Sequence, residues 1–209
     1  MTLIVNSQSG LVPPRLLVVT RNSGKLAEFK ALLESLPVTL ITPDELALRV
    51  EVSEVGNTYP ENAMLKARTY VKLSGLVSLA DDSGLEVDAL NGAPGIRSQR
   101  FCPHPQASDA DRRACLLEKL AEFPRPWKAK FCCAVAIVTP RGQVLLGEGS
   151  CQGEIIPDER GNNGFGYDSI FLIPELGLTM AELTLAQKNR ISHRARAMQS
   201  VLPQLLSIL

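Results

Sequence analysis

The chain has 209 residues, enough to bury a sizeable hydrophobic core, and its 22 basic residues are balanced by 22 acidic ones. This zero formal net charge argues against a protein that binds nucleic acid or an anionic membrane through its overall charge. Ten aromatic residues also offer too little stacking surface for a typical RNA-binding protein. An anionic ligand would therefore require a local cluster of positive groups.

Hydropathy and cysteine content indicate a cytoplasmic protein. No segment approaches the roughly 18 consecutive apolar residues that a membrane span requires. Residues 1–14 lack the basic and apolar regions of a signal peptide, and we expect them to form a disordered tail. The five cysteines include no C-x-x-C pair, which favours reduced thiols. With only two histidines in the chain, we expect no zinc site.

Strands and helices alternate in the first half of the chain. Three short apolar runs predict buried strands, at Leu16–Thr20, Val38–Ile41 and Val77–Ala80. Between them, apolar residues recur at helical spacing over residues 26–36 and 59–74. Pro37 ends the first of these helices, whereas Thr58 caps the second, which carries Pro60 and the capping-box residue Glu61 in its first turn.

Longer strands are predicted in the second half. Residues 91–108 are rich in proline and glycine and indicate a loop, and a helix follows over residues 108–123. Strands are predicted at Lys128–Val138, Gln143–Ile156 and Asp168–Ile173, with a tight turn between the first two. A helical region from Thr184 to Leu206, broken near Ser192, ends the chain. This order predicts an α/β fold with a mixed sheet.

The turn after the first strand predicts an anion site. Asn22-Ser23-Gly24-Lys25 directly precedes a helix, so backbone N–H groups, a helix N-terminus and a lysine ammonium converge there. The same turn also joins strand to helix in many proteins that bind no ligand. It is not a Walker A loop, because Val19 and Leu26 stand where that motif has its first glycine and its magnesium-binding hydroxyl.

Carboxylates follow the third predicted strand. Asp81 and Asp82 are expected at its carboxyl end, where ligands collect in open α/β sheets, although Asp-Asp-Ser-Gly is equally typical of a plain turn. Neighbouring residues on extended backbone point to opposite sides, so we expect one aspartate to face the site while the other secures the turn. Glu54, in the irregular stretch before the second helix, is either a further metal ligand or a solvated loop carboxylate. Two carboxylates and a substrate phosphate suffice to hold Mg²⁺.

Two later segments are candidate parts of a nucleotide site. Residues 161–168 combine three glycines with two aromatic residues and a carboxylate, so the backbone can approach a ligand while Phe165 offers a ring face to a base. The segment Lys188–Arg194 is dense in hydrogen-bond donors. The alternatives are a plain strand connection for the first segment and an exposed helix face for the second.

Six motifs occur in order along the chain, at Thr20–Lys25, Pro60–Ala67, Ala80–Leu85, Gly92–Ile96, Gly164–Asp168 and Lys188–Arg194. Together they resemble the inosine/xanthosine triphosphate pyrophosphatase family over about residues 15–200. This resemblance implies Mg²⁺-dependent hydrolysis of ITP, dITP and XTP to the nucleoside monophosphate and pyrophosphate, which removes these nucleotides before they enter DNA or RNA. It also implies a homodimer and a single α/β domain over residues 15–209. That domain would have an elongated central sheet, flanking helices and an active-site cleft between two lobes.

By position, the resemblance implies a role for each motif residue. Asp82 would be the catalytic base and a metal ligand, with Glu54 as the second metal ligand. The phosphates would be bound by Thr20, Arg21, Asn22, Ser23, Gly24, Lys25 and Lys66. The nucleoside would be bound by Ser83, Phe165, Gly166, Tyr167, Asp168, Lys188, His193 and Arg194. Phe165 would stack on the purine, and a donor from His193 or Arg194 to O6 would separate a 6-keto purine from adenine.

The chain departs from the family pattern at two positions. Arg97 stands where relatives commonly have an aromatic residue or histidine, and Ser169 replaces a proline. We expect both departures to affect substrate preference more than the hydrolysis reaction itself. Two other functions stay open: a pyrophosphatase of modified pyrimidine or methylated nucleotides, and a nucleotide-sensing module without turnover. Asp82 and Glu54 argue against the sensor, which has little need of a carboxylate that activates water.

Overall fold

The computed structural model describes residues 12–104 and 106–209. Within them, helices α1–α5 span Ser23–Leu33, Tyr59–Ser74, Asp109–Leu120, Leu185–Ile191 and His193–Ile208. Strands β1–β8 span Arg15–Val19, Thr39–Ile41, Val77–Val87, Pro94–Gly95, Trp127–Val138, Val144–Ile155, Phe171–Ile173 and Leu178–Thr179. Most of the predicted tail, residues 1–14, lies outside the described residues.

These eight strands form one mixed sheet, with the order β2-β1-β3-β5-β6-β7-β8. β1 runs parallel to β2 and β3, whereas β3, β5, β6, β7 and β8 pair antiparallel in succession. The short β4 pairs with the end of β3, outside this order. The predicted α/β fold, with a mixed central sheet and flanking helices, is confirmed.

Three hydrophobic cores pack against different parts of the sheet. Side chains alternate along β1, so Leu16 packs in one core with Phe29 of α1, and Leu17 packs in another with Ala67 of α2. These two cores cover opposite faces of the sheet around β1 and β3. The third core surrounds Phe131 on β5 and includes residues of α3, β6 and β7. The two ends of the sheet therefore pack against separate hydrophobic cores, as the predicted two-lobe arrangement requires.

Local capping residues set the helix boundaries. Thr58 accepts a hydrogen bond from the N–H of Glu61, and Gly75 ends α2 with a φ of 67°. One hydrogen bond of the predicted capping box is wrong. The Glu61 carboxylate accepts from the N–H of Asn57 at 2.7 Å instead of from the N–H of Thr58. Ser192 separates α4 from α5 at the predicted break and caps α5.

Two predicted strand limits are wrong. β3 continues through Asp81–Gly84 to Val87, because β5 pairs with it along this whole length after β1 has ended. These four residues are therefore strand and not a turn at a strand end. Residues 168–170 form a 3-10 turn before β7, since the Asp168 carboxylate folds back onto the N–H of Phe165.

Cys102 and Cys115 form a disulfide bond, with Cα atoms 5.7 Å apart. The prediction of reduced thiols is wrong for this pair. The reason is tertiary, because the chain after β4 folds back onto α3, and no spacing in the sequence indicates that contact. Cys132, Cys133 and Cys151 are free, as predicted.

Candidate active site

An open cavity of about 770 Å³ lies beyond the carboxyl end of β1. It is bounded by the turn after β1, the loop before α2 and the 3-10 turn Ser98–Arg100. Of the predicted site residues, it is lined by Thr20, Arg21, Asn22, Lys25, Glu54 and Lys66. The sheet explains this convergence, because β1 ends at Val19 while its neighbour β3 continues from Ala80, the partner of Val19, to Asp81 and beyond.

Helix α1 begins at this cavity. The Asn22 side chain accepts from the N–H of Lys25 at 2.9 Å, so one of the N-terminal donors of the helix is used by the cap. Thr20 Oγ1 accepts from the N–H of Asn22 at 3.1 Å and tightens the turn. Ser23 is exposed, and Gly24 lies against Phe165, so neither lines the open cavity.

Asp82 belongs to a cluster between β3 and α2. Lys66 Nζ lies 3.1 Å from Asp82 Oδ1 and 3.0 Å from Glu54 Oε1, so one ammonium holds both carboxylates. Asn62, fully buried, donates to the other Asp82 oxygen at 3.2 Å. The same amide accepts from the N–H of Gly56 at 2.8 Å, which fastens the loop before α2.

The pKa values of the two carboxylates, Asp82 and Glu54, are shifted in opposite directions. Burial raises the pKa of Asp82 above its usual value, and Glu54 adds to this effect although Lys66 opposes it. Burial would also raise the pKa of Glu54, but Lys66 and Arg100 outweigh it and hold that pKa low. Burial lowers the pKa of Lys66 less than the carboxylates raise it, so the ammonium stays protonated. A basic carboxylate beside an ionised one is suited to accepting a proton.

Asp81 points to the opposite face of β3 and binds different cations. Lys25 Nζ lies 2.9 Å and Arg194 Nη2 lies 3.0 Å from the same oxygen of Asp81. Burial by itself would raise the pKa of Asp81, but these cations hold it well below its ordinary range. The two aspartates diverge as predicted. Asp81, however, secures an ion network and not a turn.

An alternating chain of largely buried charges runs from the first turn to the loop after β6. Its members in order are Lys25, Asp81, Arg194, Glu28, Lys188 and Asp168. Lys188 Nζ lies 2.8 Å from Glu28 Oε1 and 2.5 Å from Asp168 Oδ2, and Arg194 binds the other oxygen of Glu28. Because every charge contacts an opposite one, the protein interior can hold all six.

A narrow slot of about 40 Å³ adjoins the open cavity beyond Lys25. It is lined by the predicted nucleoside residues Ser83, Phe165, Gly166, Tyr167, Asp168, Lys188, His193 and Arg194. The Phe165 ring lies so close to Gly24 that a Cβ there would overlap it, and the Lys188 ammonium is 4.8 Å from the ring centre. Typical ligand pockets exceed roughly 300 Å³, so the ring has to turn before a purine can enter.

Most polar groups around the slot form hydrogen bonds with other groups of the protein. The Tyr167 hydroxyl donates to the carbonyl of Ser98 at 2.9 Å. All three guanidinium nitrogens of Arg194 have protein partners: Asp81, Glu28 and the Ser83 hydroxyl. These bonds orient the carboxylates and use four of the five N–H donors of Arg194, which leaves one Nη1–H for the predicted contact with a purine O6.

His193 differs from its neighbours in the slot. Its ring stacks on Phe131 with ring centres 4.8 Å apart, and its buried Nδ1 has no hydrogen-bond partner among the described residues. Burial, reinforced by the charge of Arg194, holds the pKa of His193 well below its usual range. The imidazole is consequently neutral at pH 7, with one N–H to donate and one nitrogen to accept.

The roles of four contributors were not predicted from the sequence. Glu28 and Asn62 are polar residues inside otherwise apolar helix faces, next to Phe29 and Ala63, and that pattern was the available signal. For Asp81 the sequence predicts only a role in a turn, because its strand is predicted to end at Ala80. The sequence holds no signal for the fourth residue, Arg100, whose Nη1 lies 2.8 Å from Glu54 Oε2 across the mouth of the cavity.

Glu54 and Asp82 fit a hard divalent cation. Both carboxylates converge on one point, where the Lys66 ammonium now supplies the positive charge. Among the described residues, no group of three or more His, Cys, Asp or Glu side chains could hold a metal ion. An ion at this point would therefore need further oxygen ligands from a substrate phosphate, as is usual for Mg²⁺.

Known proteins share this arrangement of motifs and fold. Residues 16–204 match the family model described as the Ham1 family. This chain belongs to the Ham1 family. The match spans both ends of the site, from the turn at Thr20–Lys25 to His193 and Arg194, and it confirms the family resemblance predicted from the six motifs.

Individual Ham1 relatives are similar along nearly their whole length. A protein from Geobacter sulfurreducens named dITP/XTP pyrophosphatase is 45% identical over 185 residues, 88% of this chain and 92% of the relative. One of the same name from Exiguobacterium sibiricum is 44% identical over 188 residues, 90% and 94% of the two chains. The structure of a HAM1 protein from Coxiella burnetii is 40% identical, with a TM-score of 0.83 over 93% of this chain and 99% of that one. In the described part of this Ham1 protein, no helix has the length and apolar character needed to cross a membrane.

Proposed function

We propose that this protein hydrolyses ITP, dITP and XTP to the nucleoside monophosphate and pyrophosphate. The observation that carries the proposal is the junction of two spaces of different chemistry. The open cavity is lined by cations and carboxylates, which suits a triphosphate, and the narrow slot holds an aromatic ring and a neutral histidine, which suits a purine. Lys25 lines both. Relatives named dITP/XTP pyrophosphatase support the same substrates.

Asp82 is the proposed base. It accepts a proton from the water that attacks the α-phosphorus, and its raised pKa favours that transfer. The buried Asn62 donates to one of its oxygens, so the carboxylate is held in one orientation. This rigidity keeps the accepting oxygen in place from one turnover to the next.

Cations at the turn after β1 act on the leaving pyrophosphate. The Lys25 ammonium lines the open cavity, where negative charge grows as the phosphoanhydride bond breaks. Lys66 lines the same cavity and adds a second ammonium. These groups stabilise the transition state more than the ground state, since the charge on the bridging oxygen develops only during cleavage.

Glu54 and Asp82 are the proposed ligands of Mg²⁺, together with phosphate oxygens of the substrate. The bound ion would neutralise phosphate charge and lower the pKa of a coordinated water. The Glu54 carboxylate is ready for this role because its low pKa keeps it ionised at pH 7. Asn62 holds Asp82 and the loop before α2 in the same place, which keeps the distance between the two carboxylates short.

Selection of a 6-keto purine over adenine rests on the N–H of His193, whereas exclusion of guanine, which also carries O6, depends on the 2-position. A 6-keto purine presents an acceptor at O6 where adenine presents an amine, and a neutral imidazole N–H can satisfy the acceptor but not the amine. A site built to bond one group rejects an analogue that lacks it by roughly 10⁴-fold or more. Phe165 supplies the ring that stacks on the purine.

Pyrophosphate release tests the proposed function. We expect Mg²⁺-dependent release from ITP, dITP and XTP, little release from ATP or GTP, and none after chelation of the metal. Equal turnover of ATP would contradict it. Faster release from dUTP or a methylated triphosphate would favour the modified-nucleotide pyrophosphatase, and tight binding of ITP without release would favour the sensor.

Assembly, location and domain limits of the protein belong to the same proposal. We infer a homodimer in the cytoplasm, where nucleoside triphosphates are made, with residues 15–209 acting as one domain. Sedimentation velocity tests the dimer, and fractionation of cells tests the location. A chain that starts at Arg15 should keep full activity if the first fourteen residues take no part in catalysis.

A further inference from the structure

Helix α3 reaches the narrow slot from outside and holds the residue after Phe165. The N–H of Gly166 donates to Asp109 Oδ2 at 2.7 Å, and the carbonyl of Gly166 accepts from Arg113 Nη1 at 2.8 Å. Asp109 and Arg113 lie four positions apart on α3, which places them on the same side of the helix. One face of α3 therefore binds both polar groups of Gly166.

Both residues of this clamp, Asp109 and Arg113, are themselves fixed. Arg113 Nη2 lies 2.8 Å from Glu159 Oε2, and the other oxygen of Asp109 pairs with Arg112. The hydroxyl of Ser169 donates to the same Glu159 oxygen at 3.0 Å. Only 15% of the Arg113 side chain is exposed. Hydrogen bonds from charged groups in such partly buried places are stronger than neutral ones.

The clamp restricts how Phe165 can move. Gly166 has a φ of 63°, a left-handed conformation that glycine adopts without strain. The N–H of Phe165 is bound by Asp168 at 2.9 Å, so the backbone is held on both sides of the ring. The ring has to leave Gly24 for a purine to enter, and with the backbone held this movement uses side-chain torsions alone.

We propose that Asp109 and Arg113 are positioning residues that set the affinity for the nucleobase through Gly166 and Phe165. The inference rests on the proposed function, because it takes Phe165 as the stacking surface for the purine. Without the clamp, the loop gains backbone freedom that base binding must remove again, and that entropy is subtracted from the binding free energy. The proposed phosphate contacts Lys25 and Lys66 lie on α1 and α2 and do not depend on α3.

The experiment compares Asp109→Ala, Asp109→Asn and Arg113→Met with the control Asp111→Ala. Asp111 closes the capping box of the same helix with Ser108 and makes no contact with Gly166. We expect Asp109→Ala and Arg113→Met to raise the KM for ITP and to weaken binding of inosine monophosphate about tenfold. We expect kcat to change by less than about threefold. Asp109→Asn should restore binding, because its amide oxygen can accept from Gly166.

Inhibition by inorganic pyrophosphate measures binding in the phosphate part of the site separately. Its inhibition constant should stay unchanged in all four variants if the clamp acts on the base alone. A parallel loss of pyrophosphate and inosine monophosphate binding would overturn the proposal, as would a loss in Asp111→Ala equal to that in Asp109→Ala. If Asp109→Ala fails to fold, Arg113→Met decides the same comparison.

Two readouts separate this inference from the proposed function. Turnover of ITP by the unmodified protein tests the function. Calorimetric binding of inosine monophosphate tests the clamp and needs no turnover. A protein that binds inosine monophosphate in a clamp-dependent way but does not cleave ITP would support the clamp and contradict the function. Equal affinity in the unmodified protein and in all variants would overturn the clamp whatever the activity.

Discussion

Asp81 and Asp82 are consecutive on β3, yet their carboxylates bind cations on opposite faces of the sheet. Asp82 pairs with Lys66 of α2, and Asp81 pairs with Lys25 and Arg194. The alternation of side chains along an extended strand causes this division. As a result, Asp82, whose pKa is raised, lies next to Asp81, which stays ionised, and the two carboxylates can have different roles.

Exchanging each aspartate for asparagine should separate these roles. We expect Asp82→Asn to lower kcat for ITP by about 10²–10⁴-fold, the range for loss of a general base, while the fold is kept. Asp81→Asn leaves buried Arg194 with less compensating charge and should lower the free energy of unfolding by about 3 kcal/mol. Pyrophosphate release and urea unfolding measure the two effects. Near-normal turnover by Asp82→Asn would contradict its role as base.

Glu28 should be important for stability, although it lies apart from the proposed chemistry. Both of its oxygens bind buried cations, Lys188 and Arg194, so Glu28→Gln removes the shared counter-charge. We expect the free energy of unfolding to fall by about 3–5 kcal/mol. Glu34→Gln, an exposed change at the end of the same helix, should stay within about 0.5 kcal/mol of the unmodified protein. Similar urea midpoints for the two variants would show that the buried network contributes little.

Arg100 should affect substrate binding and not stability. Its side chain is 54% exposed, lines the open cavity and reaches Glu54 through the guanidinium, so it is placed to bind phosphate oxygens. We expect Arg100→Gln to change the free energy of unfolding by less than about 0.5 kcal/mol and to raise the KM for ITP by about threefold to tenfold. Arg141→Gln, exposed and outside the cavity, is the matched control for steady-state kinetics. An unchanged KM in Arg100→Gln would exclude the contact.

His193 should make stability depend on pH in the mildly acidic range. Its pKa is held low by burial and by the charges of Arg194, Lys188 and Lys25, which outweigh the opposite influence of Asp81. The unfolded chain protonates this histidine near its ordinary pKa of about 6.5, whereas the folded chain does not. The unfolded state thus binds more protons as the pH falls below that value. The free energy of unfolding should then decrease, by up to about 1.4 kcal/mol per pH unit.

Urea unfolding between about pH 5 and pH 7.5 measures this dependence. His193→Gln should show a shallower decrease than the unmodified protein. His104→Gln, an exposed change, should keep the original slope. Identical slopes for the His193 variant and the unmodified protein would mean that the buried imidazole is protonated in the folded state as well.

The sequence by itself determined the features that depend on near neighbours. The strand before Asn22, the cap at Thr58, the hairpin turn closed by Gly142 and the break at Ser192 all occur where periodicity and turn chemistry predict them. Each results from interactions among residues a few positions apart. The six ordered motifs likewise predicted the family, because motif spacing is read directly from the chain.

Only the tertiary structure decided which charges are buried and what they contact. β3 continues past Asp81 because β5 supplies its partner about fifty residues later along the chain. Lys66 and Lys188, each typical of a solvated helix face when read locally, bind carboxylates brought in by other elements. The hold of α3 on Gly166 has the same origin. The physical reason is that a buried charge is stable only beside an opposite charge or dipole, and the fold, not the adjacent sequence, brings those groups together.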